Sequence, residues 1–362
     1  MSCPQVDPAA GLKTGARVSP VAVLVVEPIY YTLPDVLRNW PYKRIINPHY
    51  TTAENEAMEW LGTLISISPA GQKAFKEVDI GLLCALTFPK APHYIMRSCC
   101  EMMITFLLLD EYTDNCNTEN TRGVCDMTMD AIRHPEKPRP VGEPVFGEMA
   151  RQFWKRASAN APQATKERFV RTWREYLDAV ILQASRRDDS RYICNVEEYL
   201  ASRHYDFGIY PCLALMEMSS GLDIPHQIME HPTIVSLARD ATYIAFLSND
   251  IYSYKKESLA DNADYNAVTV VMHHKKTDIL GGIQWISDRH DELIEHFLEL
   301  RNEVINKINF PSFGDEIDRQ VEAYVDGIGQ WVRGSDEWHF GCRRYFGEDG
   351  LEIQRKRKVV IA

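Results

Sequence analysis

Apolar positions recur at helical spacing along most of the chain, and strand-like alternation with hairpin turns is nearly absent. The periodicity predicts helices over residues 54–67, 94–114, 146–157, 163–186, 234–259, 277–309 and 312–333. Ser68-Pro69 stops the first of these, and Phe310-Pro311 separates the last two. Asn195 followed by Glu198 has the form of a helix start, and Pro211, Gly221, Pro225 and Pro232 divide the next stretch into shorter helices. Met102 to Leu109 is apolar on every side, which places that helix deep in a core. Residues 115–145, rich in Asn, Thr, Gly and Pro, predict an exposed loop with one short helix near 126–132. No period of 20–50 residues repeats. The expected architecture is all-α: a single domain over 26–350, a flexible segment over 1–25 and a frayed basic tail over 351–362 that contains Arg355 to Lys358.

Composition narrows the class. With 362 residues, 45% hydrophobic and 25% charged, the chain can bury a large core and has the make-up of a soluble globular protein. A net charge of −11 argues against nucleic-acid binding, and an anionic substrate would need local relief from cations or a few placed Arg and Lys. Nine scattered cysteines without a CxxC pair favour reduced thiols in a cytoplasmic protein. His273-His274 are neighbours that cannot share a helix face, so no zinc spacing is present. Val21 to Val26 is apolar but far short of the ~20 residues of a membrane span, so no membrane insertion is expected.

Two spacings carry chemistry. Asp110 and Asp114 lie four apart at the end of the wholly apolar stretch, where like charges on one helix face are costly unless a cation neutralises them. That suits Mg²⁺, which takes oxygen ligands and keeps waters or phosphates in its shell. Acids at this spacing are also common on solvated faces, so the motif is ambiguous alone. Asn249, Ser253 and Glu257 follow at i, i+4 and i+8; at ~100° per residue the eight-residue step drifts only about 80°, so three oxygen ligands share one stripe. Lys256 beside them can pair with a phosphate oxygen.

With both motifs in view, the chain resembles the class I terpene cyclases, which carry an acidic motif like Asp110-Glu111-Tyr-Thr-Asp114 and a second like Asn249-Asp250-Ile-Tyr-Ser253-Tyr-Lys-Lys256-Glu257. Arg344-Tyr345, with Trp338 six residues earlier, matches a C-terminal Arg-Tyr pair of that family. Arg203 matches its diphosphate-sensing arginine, followed by Asp206, Phe207 and Gly208 at the linker and helix-break positions. Leu33-Pro-Asp35, Asn39-Trp-Pro41 and Ile46 to Tyr50 extend the likeness to sesquiterpene synthases of basidiomycete fungi.

The resemblance implies a helical bundle around a hydrophobic cavity, three Mg²⁺ ions, farnesyl diphosphate as substrate, and a monomer or homodimer. Metal ligands would be Asp110, Asn249, Ser253 and Glu257, with Glu111 and Asp114 weaker candidates; Arg203, Lys256, Arg344 and Tyr345 would bind diphosphate. Aromatic walls are expected from Phe88, Phe106, Phe207 and Trp338, with Cys84 and Met103 as lesser candidates. The first expectation for the reaction is 1,11-closure to a humulyl cation and a protoilludene-type product. A 1,10-closing or linear-alcohol-forming enzyme, a chain-elongating prenyl synthase and a non-catalytic isoprenoid-binding protein are the competing readings.

Overall fold

A computed structural model describes residues 30–189, 194–260 and 263–360, so the segment expected to be flexible over 1–25 lies outside the described residues. The long helices stand close to where the apolar periodicity puts them: α1 (Tyr50–Leu64), α4 (His93–Thr113), α6 (Phe146–Ala157), α7 (Gln163–Asp188), α11 (Pro232–Leu259), α13 (Ile279–Asn306) and α14 (Asp315–Gly341). Between them run α2 (Pro69–Val78), α3 (Ile80–Thr87), α5 (Thr118–Arg133), α8 (Val196–Asp206), α9 (Ile209–Ser219), α10 (His226–Met229), α12 (Ala267–Lys275) and α15 (Gly350–Lys356). Local signals fix several starts. Ser68 accepts from the Gly71 amide with Pro69 in the first turn, and Asn195 with Glu198 forms a reciprocal capping box.

Helix α4 packs on α1, α3 and α6; α7 packs on α5, α8 and α9; α11 lies against α13 and α14, and α14 against α3. The last contact depends on a glycine. A Cβ on Gly334 would lie 2.3 Å from the Leu86 carbonyl oxygen, so α14 can come this close to the α3 backbone only because position 334 carries no side chain. The opening motifs brace this end of the bundle. Trp40 Nε1 donates to the Gly329 carbonyl (2.9 Å), and Asn47 Nδ2 bridges the carbonyls of Phe88 and Ala91 (2.8 Å each).

Three expectations are corrected. Residues 118–133 form a full helix rather than a loop with a short turn: Asn117 caps it, and Val124, Cys125, Thr128, Met129 and Ile132 make a buried stripe that its polar outer face conceals. Helix α14 continues past Arg333 to Gly341 because Gly334 serves packing rather than termination. The basic end is not frayed. After α15, β2 (Lys358–Val360) pairs antiparallel with β1 (Tyr30–Thr32), and Arg357 binds Asp35 at 3.1 Å.

Candidate active site

The ends of α4, α8, α11 and α14 meet around a cavity of about 260 Å³. That volume is just below the range of about 300–1,000 Å³ usual for ligand sites. Leu83, Met103, Phe106, Leu107, Tyr176, Phe207, Ile209, Trp331 and Trp338 form its apolar wall, and Asp110, Arg203, Asn249, Ser253, Lys256, Glu257, Arg344 and Tyr345 are grouped with them. The two separated motifs therefore share one chamber.

Helix α11 carries the stripe. Asn249 Nδ2 lies 2.9 Å from His339 Nε2 and 3.2 Å from the Tyr345 hydroxyl, while its Oδ1 takes a long hydrogen bond from Arg203 (3.4 Å). Asn266, fully buried, donates from Nδ2 to Glu257 Oε2 (2.9 Å), to Ser253 Oγ (3.4 Å) and to the Asp250 carbonyl (2.9 Å), and its Oδ1 caps α12 by accepting from the Val268 amide. Neither Asn266 nor His339 was singled out from the sequence. The legible trace of Asn266 was only its place as an N-cap ahead of the apolar run Ala267 to Val271.

Arg203 is held by two carboxylates. Asp206 Oδ1 lies 3.2 Å away and Asp250 Oδ1 3.5 Å away, and its guanidinium sits 5.2 Å from the Phe207 ring centroid. Asp206 also accepts from Tyr265 (2.6 Å); Asp250 accepts from the Tyr199 hydroxyl and from the Ala267 amide (3.1 Å). Burial pushes the Asp250 carboxyl up to about 7, against the pull of Arg203. The buried Arg203 Nε has no hydrogen-bond partner among the described residues. Gly208 makes the break between α8 and α9 in the left-handed region (φ +73°), and a Cβ there would touch Tyr176 and Phe106.

The acidic motif divides. Asp110 opens into the cavity; protein crowded about the mouth and the neighbouring Asp114 push its carboxyl up to about 7, while Arg203 and Arg344 pull it down. Asp114 lies one turn further on, outside the cavity, paired with Arg187 (3.2 Å), and Glu111 stays on the exposed rim. Lys256 is held below its usual range by burial and by Arg344. Burial pushes the His339 imidazole down to about 3, so it is neutral.

Of the expected aromatics, Phe106, Phe207 and Trp338 line the cavity and Phe88 does not. Phe88 follows the C-terminal end of α3 and faces a different recess, with Pro41, Lys43 and Met216, because Asn47 ties its carbonyl to the outer loop. Phe106 is fixed from behind, stacked on Trp173 at 4.9 Å and edge-on to Tyr176 at 4.7 Å. Met103 also lines the chamber; Cys84 is buried behind it, near Cys100.

Hard oxygen donors from Asp110, Asn249, Ser253 and Glu257, with no His or Cys among them, fit a magnesium-type cation. Among the described residues no group of three or more His, Cys, Asp and Glu side chains could hold a metal alone, so amide, hydroxyl or ligand oxygens must complete any shell.

An apolar chamber whose mouth gathers hard oxygen donors and basic side chains, inside an all-α bundle, is the architecture of a class I terpene synthase. The model of terpene synthase family 2, C-terminal metal binding, matches residues 101–296, and the chain belongs to the terpene synthase family as an enzyme of that type. It is 40% identical over 330 residues to a Delta(6)-protoilludene synthase of Stereum hirsutum (strain FP-91666), covering 91% of this chain and 87% of that one. It is 37% identical to a Delta(6)-protoilludene synthase of Armillaria gallica, covering 91% and 93%. The fold is shared with a-eudesmol synthase (TM-score 0.75, 20% identical, 84% of this chain and 98% of that one) and with hedycaryol synthase (0.74, 16%, 86% and 99%). No helix among the described residues is long and apolar enough to cross a membrane.

Proposed function

We propose that the chain is a sesquiterpene cyclase that ionises farnesyl diphosphate with Mg²⁺ and closes the chain 1,11 to a humulyl cation, giving a protoilludene-type tricycle. The observation that carries this reading is the meeting of Asp110, the Asn249–Ser253–Glu257 stripe, Arg203, Lys256, Arg344 and Tyr345 at one apolar chamber. The product class is supported by the relatives named Delta(6)-protoilludene synthase, at 37–40% identity.

Asp110, Asn249, Ser253 and Glu257 would hold Mg²⁺, three ions being the expected complement. Bound there, the metal supplies charge neutralisation for a departing diphosphate. The guanidinium groups of Arg203 and Arg344, the Lys256 ammonium and the Tyr345 hydroxyl bind the diphosphate oxygens, each stronger as negative charge gathers on the leaving group. Phe106, Phe207 and Trp338 keep water from the allylic cation and offer ring faces that stabilise it without acting as bases. The released diphosphate can accept the final proton, so no dedicated base is required.

The test is incubation of purified protein with Mg²⁺ and farnesyl diphosphate, followed by gas chromatography–mass spectrometry of the volatiles, with geranyl and geranylgeranyl diphosphate in parallel. A tricyclic hydrocarbon that depends on Mg²⁺ supports the full reading. A germacrene-type or linear alcohol product overturns the 1,11-closure, and no terpene from any of the three substrates overturns the enzyme assignment.

A further inference from the structure

We propose that His339 is a positioning residue that sets the orientation of the Asn249 amide and so presents its carbonyl oxygen to the metal. The proposal rests on the reading of Asn249 as a ligand. Its starting point is a backbone carbonyl. His339 Nδ1 lies 2.6 Å from the oxygen of Ser335, one turn earlier on α14. A peptide oxygen only accepts, so Nδ1 must carry the ring proton, and in the neutral imidazole Nε2 is left as a lone pair. That lone pair faces Asn249 Nδ2 at 2.9 Å and accepts from it.

The second N–H of the amide points to the Tyr345 oxygen at 3.2 Å, which leaves the Tyr345 proton free for the chamber. Asn249 Oδ1 then faces Arg203. Turning the amide over would set its oxygen against the Nε2 lone pair and its NH₂ against the Arg203 guanidinium, two mismatches at once. The imidazole cannot turn to accommodate this. It is fully buried and packed against Trp338, Tyr252 and Tyr345, with ring centroids 5.0, 5.2 and 4.9 Å away. The Ser335 carbonyl thus fixes the donor direction of His339 and, through it, that of the Asn249 amide, whose second N–H the Tyr345 oxygen accepts, the kind of outer support that sets a ligand's geometry.

Two conservative replacements divide the roles of the ring. His339→Gln keeps an acceptor near the Nε2 position, His339→Asn keeps only a donor near Nδ1, and His339→Leu keeps neither. Binding of Mn²⁺ in the presence of inorganic diphosphate, read by electron paramagnetic resonance, measures the site without turnover, and thermal melting checks folding. The Leu and Asn variants should weaken Mn²⁺ binding and raise half-saturating Mg²⁺ about 10–100-fold, with Gln within roughly threefold of the parent. Parent-like binding in the Leu variant, or rescue by Asn and not by Gln, overturns the proposal. Asn249→Ala is the control: if it binds Mn²⁺ like the parent, the ligand reading itself fails; if it loses binding while His339→Leu does not, only the positioning role fails. Independently of any variant, ¹⁵N-histidine NMR of the parent should show His339 protonated at Nδ1 and bare at Nε2, and the opposite tautomer overturns the proposal.

Discussion

The two rims of the chamber are built differently. On α11 every polar group of the stripe is braced: Asn249 by His339 and Tyr345, Ser253 and Glu257 by Asn266, and Asp250 by Tyr199, Arg203 and the Ala267 amide. On α4 the Asp110 carboxylate takes no hydrogen bond from the described residues, and Asp114 turns to Arg187 on the outer face. A braced rim holds its geometry before a ligand arrives, whereas an unbraced one can follow the ligand in. The α11 side should therefore set affinity through preorganisation, and the α4 side should respond to binding.

The largest effect expected from this asymmetry is on the braced rim itself. Asn249→Ala or Glu257→Ala should cut turnover of farnesyl diphosphate on the order of 10³-fold, the scale of losing a group that stabilises developing charge. Melting temperature should stay near that of the parent, and near-normal activity would show that the stripe is not a metal site. Next is Arg203→Lys. The guanidinium is held between Asp206 and Asp250 with Nε to spare, a fork that an ammonium cannot reproduce, so kcat/KM should fall about 10²-fold.

Asn266 tests whether the bracing matters apart from the ligands. Asn266→Ser keeps an oxygen to cap α12 but cannot reach Glu257, so helix and stability are largely retained while the carboxylate loses its donor. Half-saturating Mg²⁺ should rise about 10–100-fold at little cost in melting temperature. A variant with unchanged Mg²⁺ dependence would remove Asn266 from the site and leave it as a helix cap.

What could be read in advance follows the same asymmetry. Asn249, Ser253 and Glu257 belong to one helix, and helical spacing alone puts them on a stripe; Asp110 is legible for the same reason. The bracing groups were not. Asn266 caps the next helix and His339 lies on α14, ninety residues beyond Asn249, and no local pattern links them. Phe88 shows the converse failure. Its aromatic character suited a cavity wall, but a tether from Asn47 to its carbonyl sends it to another recess. The helix over 118–133 was obscured by composition, since Asn120 and Gly123 on its outer face look like loop while seven buried residues hold its inner face. The sesquiterpene synthase resemblance, which rested on motifs rather than on spacing, supplied roles that geometry alone would not.

Asp114 gives the smallest effect and the finest test. Spacing puts it on the face of Asp110, but one turn beyond the mouth, where Arg187 binds its Oδ1 at 3.2 Å and the Thr113 carbonyl at 2.7 Å. Both partners are substantially exposed, 42% for Asp114 and 32% for Arg187, so the pair is a screened surface contact rather than part of the chamber. Such pairs contribute at most about 1 kcal/mol, roughly fivefold in any linked equilibrium. Asp114→Asn should therefore change kcat/KM and half-saturating Mg²⁺ by no more than about fivefold, whereas Asp110→Asn should lose on the order of 10²-fold. Measured side by side with farnesyl diphosphate, the two variants separate the proposed ligand from its neighbour. Equal losses would mean that α4 moves on binding and carries Asp114 into the chamber, which would make the unbraced rim the moving half of the site.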